Sequence, residues 1–263
     1  MSTLYVPMTQ NNPDVEVVEE QNDLSLTRRS MVSLMAAAGA AAMLGVPKMG
    51  SAFWRGNQNV EPKLVSVPQA IPEKVFTSER VGISRKTHEE HLKLWQGYAN
   101  KTNEIRTALA EMQPMDPAQA NQIYSKIRAL KVDYTFAYEG LINHNIYFET
   151  LGGEGGPATG KIAELINEAY GSFDNWAADF KSTGIGGRGW AFLAYDHDEG
   201  RVFNYIGDAQ NTFPIWNHTC VLALDVYEHA YYLDFQTARA RYIDAYMQCI
   251  DWNAVNNLLP RGI

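Results

Sequence analysis

Apolar residues recur at helical spacing through the first half of the chain and at strand spacing through part of the second. His91, Leu92, Leu94, Trp95, Tyr98 and Ile105 share one face of a stretch that Ser84 or Thr87 can cap. This predicts a helix ending near Met112. Gln113-Pro114-Met115 breaks it. Asp116-Pro117 then offers an N-cap with proline at the first helical position, so a second long helix is expected to open there. Its apolar face runs through Ile123, Ile127, Leu130, Tyr134, Tyr138, Leu141 and Ile142. The pair reads as an antiparallel helical hairpin. The glycine-rich run Gly152–Pro157 stops it, and two shorter helices follow, at Gly160–Tyr170 and Asp174–Thr183.

The period then changes. Trp190, Phe192, Leu193 and Tyr195 precede Asp196-His197-Asp198-Glu199-Gly200, which reads as a hairpin turn, and Val202–Ile206 returns. The run 219–224 supplies a third strand, a helix is expected from Tyr227 to about Cys249, and a short closing helix lies near Trp252. A helical segment followed by a helix-flanked, three-stranded antiparallel sheet is an α+β arrangement. The expected divisions are a helical hairpin over 83–156 and a C-terminal α/β part over 157–263. Residues 53–82, with Pro68 and Pro72 and no clear period, read as an extended arm.

Residues 1–52 add a second signal. A polar, acidic stretch leads to Arg28-Arg29, then to an Ala-rich apolar run through Val46, then to Gly50-Ser51-Ala52. Paired arginines before such a run read as a twin-arginine export signal, with cleavage after Ala52 and a periplasmic or extracellular destination. The run is too short and too rich in Ala and Gly for a comfortable membrane span. That export route carries folded proteins, which suits a protein loaded with metal before it leaves. With 263 residues, 46% apolar and 20% charged, the remainder is an ordinary globular chain. The net charge of −8 argues against nucleic acid as a partner. Cys220 and Cys249 form neither a C-x-x-C motif nor a disulfide framework, and read as small buried apolar residues or, in an exported protein, as a disulfide pair.

The candidate chemistry lies in Asp225-Val226-Tyr227-Glu228-His229-Ala230-Tyr231-Tyr232, directly after the apolar run Cys220–Leu224. A carboxylate and an imidazole four residues apart, flanked by Val, Ala and Tyr, can share a metal. The octapeptide is similar to the metal-ligand signature of the iron/manganese superoxide dismutases, Asp-Val-Trp-Glu-His-Ala-Tyr-Tyr, departing only at Tyr227. Asn143-His144 within Tyr138–Phe148 resembles the family helix that carries a second ligand. Gly171-Ser172-Phe173 and Gly187–Leu193 resemble two further landmarks, so the resemblance covers roughly Ile83 to Leu259.

The resemblance implies a single manganese or iron ion per subunit held by His91, His144, Asp225 and His229. Three imidazoles and a carboxylate without thiolate suit those metals and are compatible with zinc. It implies superoxide as substrate, dioxygen and hydrogen peroxide as products, and a homodimer or tetramer braced by Glu228 and Tyr232. Gln210 aligns with the glutamine that bonds metal-bound solvent in manganese-type members, where iron-type members carry one at the position of Gly140. Arg239 matches an arginine near the anion entrance. The first helix departs from the pattern. Trp95 stands where the family has a histidine four residues after the first ligand, and Tyr98 comes at seven residues instead of eight. A bulge in the helix is expected to restore that tyrosine to its place. The other histidines read as bystanders: His88 at the surface beside Glu89 and Glu90, His197 in the turn, and His218 without a nameable partner. Rival readings are a diverged metal-dependent oxidoreductase or peroxidase, and a non-catalytic metal-binding protein. A ferritin-like di-iron site is disfavoured for want of paired Glu-x-x-His motifs.

Overall fold

A computed structural model describes residues 61–263, so the expected export signal and the start of the expected arm lie outside the described residues. The first helix, α1 (Arg85–Glu111), begins where Ser84 Oγ accepts from the Thr87 amide. The second, α2 (Lys126–Thr150), is capped in the same way by Ser125. It starts later than Asp116-Pro117 suggests. Asp116 caps only a 3-10 turn at Pro117–Gln119, and Asn121 Oδ1 then takes the amides of Ile123 and Tyr124. These local bonds hold 116–124 in turns and leave Ile123 and Tyr124 exposed.

The arm is only partly extended. Its Glu73–Val81 segment is a 3-10 helix. The stretch before it is pinned to α1: Asn103 pairs with both the amide and the carbonyl of Val65, and Arg106 reaches the carbonyl of Lys63. Side-chain amides and a guanidinium here satisfy backbone groups that have no strand neighbour.

Past the glycine loop come α3 (Lys161–Tyr170) and α4 (Phe173–Gly186). Gly152 is positioned by sterics: its φ is 97°, and a Cβ there would lie 2.4 Å from the Lys74 carbonyl oxygen. The sheet has strands β1 (Trp190–Asp196), β2 (Arg201–Gly207) and β3 (His218–Asp225) in the order β2-β1-β3, both pairings antiparallel. The central strand β1 is buried almost throughout, which explains its unbroken apolar run. Its register sets Trp190 opposite Asp225, and that pairing places the end of β3 beside the helical hairpin.

The single helix expected over 227–249 is broken into pieces. After β3 come a 3-10 turn at Glu228–Ala230, α5 (Tyr232–Phe235), α6 (Arg239–Met247) and α7 (Trp252–Leu258). Asp225 Oδ1 accepts the Tyr227 amide, which turns the chain at the strand end and delays the helix. Gln236 then adopts φ 51°, ending α5 after one turn. The core joins the hairpin and sheet through Tyr147, Phe148, Trp176, Phe180, Trp190, Tyr242 and Tyr246, all fully buried or nearly so. Among the described residues no helix is long and apolar enough to cross a membrane.

Candidate metal centre

His91 comes from α1, His144 from α2, Asp225 from the last position of β3, and His229 from the 3-10 turn that follows. These four are brought together as expected: their ligand atoms lie within 4.8 Å of one another. Asp225 Oδ2 is 3.2 Å from His91 Nε2, 3.7 Å from His144 Nε2 and 3.1 Å from His229 Nε2. Metal–ligand bonds near 2.1 Å imply neighbouring donor atoms about 3.0–3.6 Å apart. The observed spacings sit close to that range.

The buried nitrogens supply the test of fit. His91 Nε2 and His144 Nε2 are buried and have no hydrogen-bond partner, although a carboxylate oxygen stands near each. The rings are close to Asp225 but not aimed at it, as expected when all four converge on a common centre. An unpartnered buried nitrogen costs free energy that coordination would recover. His144 Nδ1 lies 2.6 Å from the Gly140 carbonyl, to which it must donate. That bond selects the tautomer whose Nε2 lone pair faces the centre.

Electrostatics prepare the same state. Burial pushes the His144 imidazole down to about 3, helped by neighbouring His91. Burial also lowers His91, partly offset by Asp225. Burial alone would raise Asp225, but the imidazoles of His229 and His91 outweigh it and hold the carboxyl below its usual range. Neutral imidazoles at His91 and His144 and an ionised carboxylate are the forms that coordinate a cation. His229 is raised, because Asp225 more than compensates for burial.

Gln210 and Tyr98 stand beside this cluster. Gln210 Nε2 donates to the Tyr98 hydroxyl at 3.0 Å, and the Tyr98 ring lies 5.1 Å from the His144 ring. The helix reaches this arrangement without a bulge, since α1 is regular from end to end. Seven residues are about two turns, so Tyr98 returns to the face of His91 unaided. Two residues that sequence reasoning treated only as landmarks hold Gln210 in place. Trp190 Nε1 donates to its Oε1, and Asn143 Nδ2 donates to its backbone carbonyl, both at 3.0 Å. The signal for them was their place beside a ligand and opposite one. Gly140 completes the packing: a Cβ there would lie 2.6 Å from the Tyr98 ring.

Two expectations change, those for His88 and His218, and Trp95 finds its place. His88 is fully buried, with Nε2 2.8 Å from Ser78 Oγ, and is not a surface residue. The Trp95 ring stacks on Phe148 at 4.8 Å and its Nε1 donates to Asn145 Oδ1, which places it in packing between the two helices of the hairpin. His218 has partners, in the Tyr205 hydroxyl and the Ile215 carbonyl. His197 is exposed as expected. The Tyr227 ring stacks on His229 at 5.2 Å.

Residues 158–258 match the family model for the C-terminal domain of iron/manganese superoxide dismutases. The chain is 39% identical over 211 residues to a superoxide dismutase [Fe] of Aquifex aeolicus, covering 79% of this chain and 94% of the relative. It belongs to the iron/manganese superoxide dismutase family. A superoxide dismutase [Fe] of Aquifex pyrophilus is 36% identical over the same shares. A superoxide dismutase [Mn] of Haloferax volcanii is 32% identical over 63% of this chain and 79% of its own length. Relatives named for each metal accord with a family donor set of three imidazoles and one carboxylate that either iron or manganese accepts.

Proposed function

We propose that the protein converts superoxide to dioxygen and hydrogen peroxide at one manganese or iron ion per subunit. The observation that carries this reading is the convergence of three imidazole nitrogens on Asp225 Oδ2, two of them buried without a hydrogen-bond partner. His91, His144, Asp225 and His229 would hold the ion. When bound it supplies a one-electron redox couple. Dismutation of two superoxide anions consumes two protons, so proton supply falls to the surrounding residues.

Gln210 is held with its carboxamide oxygen toward Trp190, which leaves its amide donating to Tyr98. The Tyr98 hydroxyl therefore accepts from Gln210 and keeps its own proton for the cavity. Burial raises the Tyr98 phenol above its ordinary value, with Asp225 adding to the effect, so the proton is held at neutral pH. Tyr98 is thus a donor placed beside the metal ligands. Gln210 orients it and would tune solvent bound to the metal.

Elemental analysis, superoxide decay and peroxidase turnover on one preparation test the reading. Bound manganese or iron with superoxide decay is expected. Peroxidase turnover without dismutation, or metal without either activity, would overturn it.

We also propose export by the twin-arginine machinery to the periplasm or beyond, supported by Arg28-Arg29 before the Ala-rich run. Replacing both arginines by lysine should trap the precursor in the cytoplasm, and unimpaired export would refute the route. Assembly as a homodimer or tetramer through the exposed Glu228 and Tyr232 is part of the same proposal. Sedimentation of the purified protein tests it, with a monomer at micromolar concentration as the contrary result.

A further inference from the structure

Strand β3 is an edge strand, paired only with β1. Its outward carbonyls therefore need partners from elsewhere, because buried backbone acceptors left empty are costly. Two tyrosines of α6 supply them. Tyr246 Oη donates to the Ala223 carbonyl, and Tyr242 Oη donates to the Asp225 carbonyl, both at 2.9 Å. The spacings agree: alternate residues of a strand are about 6.6–6.8 Å apart, and one helical turn rises about 5.4 Å. The helix thus takes the place of the missing neighbour strand, with its hydroxyls at the height of alternate carbonyls.

One rung of this ladder ends on a metal-ligand residue. Asp225 is then tied at two points that are not the metal: its Oδ1 takes the Tyr227 amide and its carbonyl takes Tyr242, while the next residue, Val226, donates its amide to the Gly189 carbonyl. Oδ2 is left facing the imidazoles. The chain of donors continues inward. Tyr242 has spent its proton on Asp225, so Tyr147, 3.3 Å away, must be the donor in the hydroxyl pair. Tyr147 lies on α2 three residues after His144, and its ring is 5.1 Å from that of His91. All three tyrosines are fully buried.

We infer that Tyr242 is a positioning residue: by fixing the Asp225 backbone at the open edge of β3, it sets where the carboxylate meets the metal. Tyr246 makes the same bond two residues earlier and provides an internal control. The inference rests on the metal-centre reading proposed above.

The test compares Tyr242→Phe with Tyr246→Phe in the full-length, metal-loaded protein. Each variant loses one hydroxyl bond to the same strand edge, and Tyr242→Phe also leaves the Tyr147 hydroxyl without its acceptor, so both should lose thermal stability, Tyr242→Phe the more. Only Tyr242→Phe should shift the optical or electron paramagnetic spectrum of the bound metal, and it should release metal to a chelator about tenfold faster, the lower end for residues that support a ligand. Spectra and release rates that match in the two variants would overturn the inference and reduce Tyr242 to a structural bond. If Tyr242→Phe cannot be purified, Tyr147→Phe carries the test. It withdraws the donor to Tyr242 and should move the spectrum in part, and an unchanged spectrum would overturn the inference. A wild-type protein that retains neither manganese nor iron would instead refute the metal-centre reading, before any variant is compared.

Discussion

Gly140→Ala should injure the site while leaving the ligands where they are. The added methyl would stand 2.6, 2.8 and 2.9 Å from three carbons of the Tyr98 ring, against ordinary carbon contacts of about 3.5–4.0 Å. The ring must therefore retreat by roughly an ångström, enough to break its 3.0 Å bond with Gln210. Overpacking of this kind costs about 1–3 kcal/mol, and the lost hydrogen bond adds about 1 kcal/mol. Alanine returns about 1 kcal/mol, because position 140 is inside a helix where glycine is poor. The net loss is about 1–3 kcal/mol, or some 2–12 °C in Tm at roughly 2–4 °C per kcal/mol for a folded part of this size. Melting, metal content and the pH dependence of superoxide decay would be measured on one preparation. Metal should stay bound while turnover falls and its pH profile moves, since the displaced group holds the proton. A variant with a raised Tm and an unaltered profile would show that Tyr98 yields freely and that Gly140 is not needed for its placement.

Acid stability should depend on His88. Burial, reinforced by His91, pushes its imidazole from 6.5 down to about 3, so the folded state binds fewer protons than the unfolded chain between those values. Its contribution is complete above about pH 6.5 and is lost as pH falls toward 3, by up to roughly 5 kcal/mol. Urea titrations of His88→Gln should show a shallower decline over that window, and parallel curves would refute the assignment. Asp225→Asn keeps the acceptor for the Tyr227 amide but removes the charge, so metal should be lost with the fold intact by circular dichroism. Full metal occupancy would remove Asp225 from the ligands. Trp95→His should lower stability by about 2–3 kcal/mol through lost packing on Phe148 and leave the pH profile of dismutation unchanged. A shifted profile at normal stability would place Trp95 in the substrate path.

The three strands were legible because β1 and β3 are continuous apolar runs and Asp196–Gly200 is a strong turn. Of the four candidate ligands, Asp225 and His229 were legible from their spacing and apolar flanks, but His91 and His144 only through the family resemblance, because tertiary packing alone joins them to that pair. His88 misled because Glu89 and Glu90 follow it, although successive helix residues point about 100° apart and can turn from core to solvent within two positions. The break at Gln236 had no glycine or proline to announce it. The helix start at Ser125 was hidden because Asp116-Pro117 is an equally good cap, and Asn121 decided between them by binding the amides that follow it. Support for Gln210 from Trp190 and Asn143 depends on strand register and on the facing of α2, neither of which local pattern specifies.

The provenance of the four ligands bears on how the molecule acquires its ion. Asp225 and His229 belong to the sheet half, and His91 and His144 to the helical hairpin. Each half alone offers two donors, too few to keep a metal against water and competing chelators. With His91, His144, Asp225 and His229 as ligands, an ion would be retained only once the halves have docked, so loading would work as a checkpoint on assembly and the ion as a rivet between them. Occupancy measured during refolding would report docking, not the earlier formation of either half.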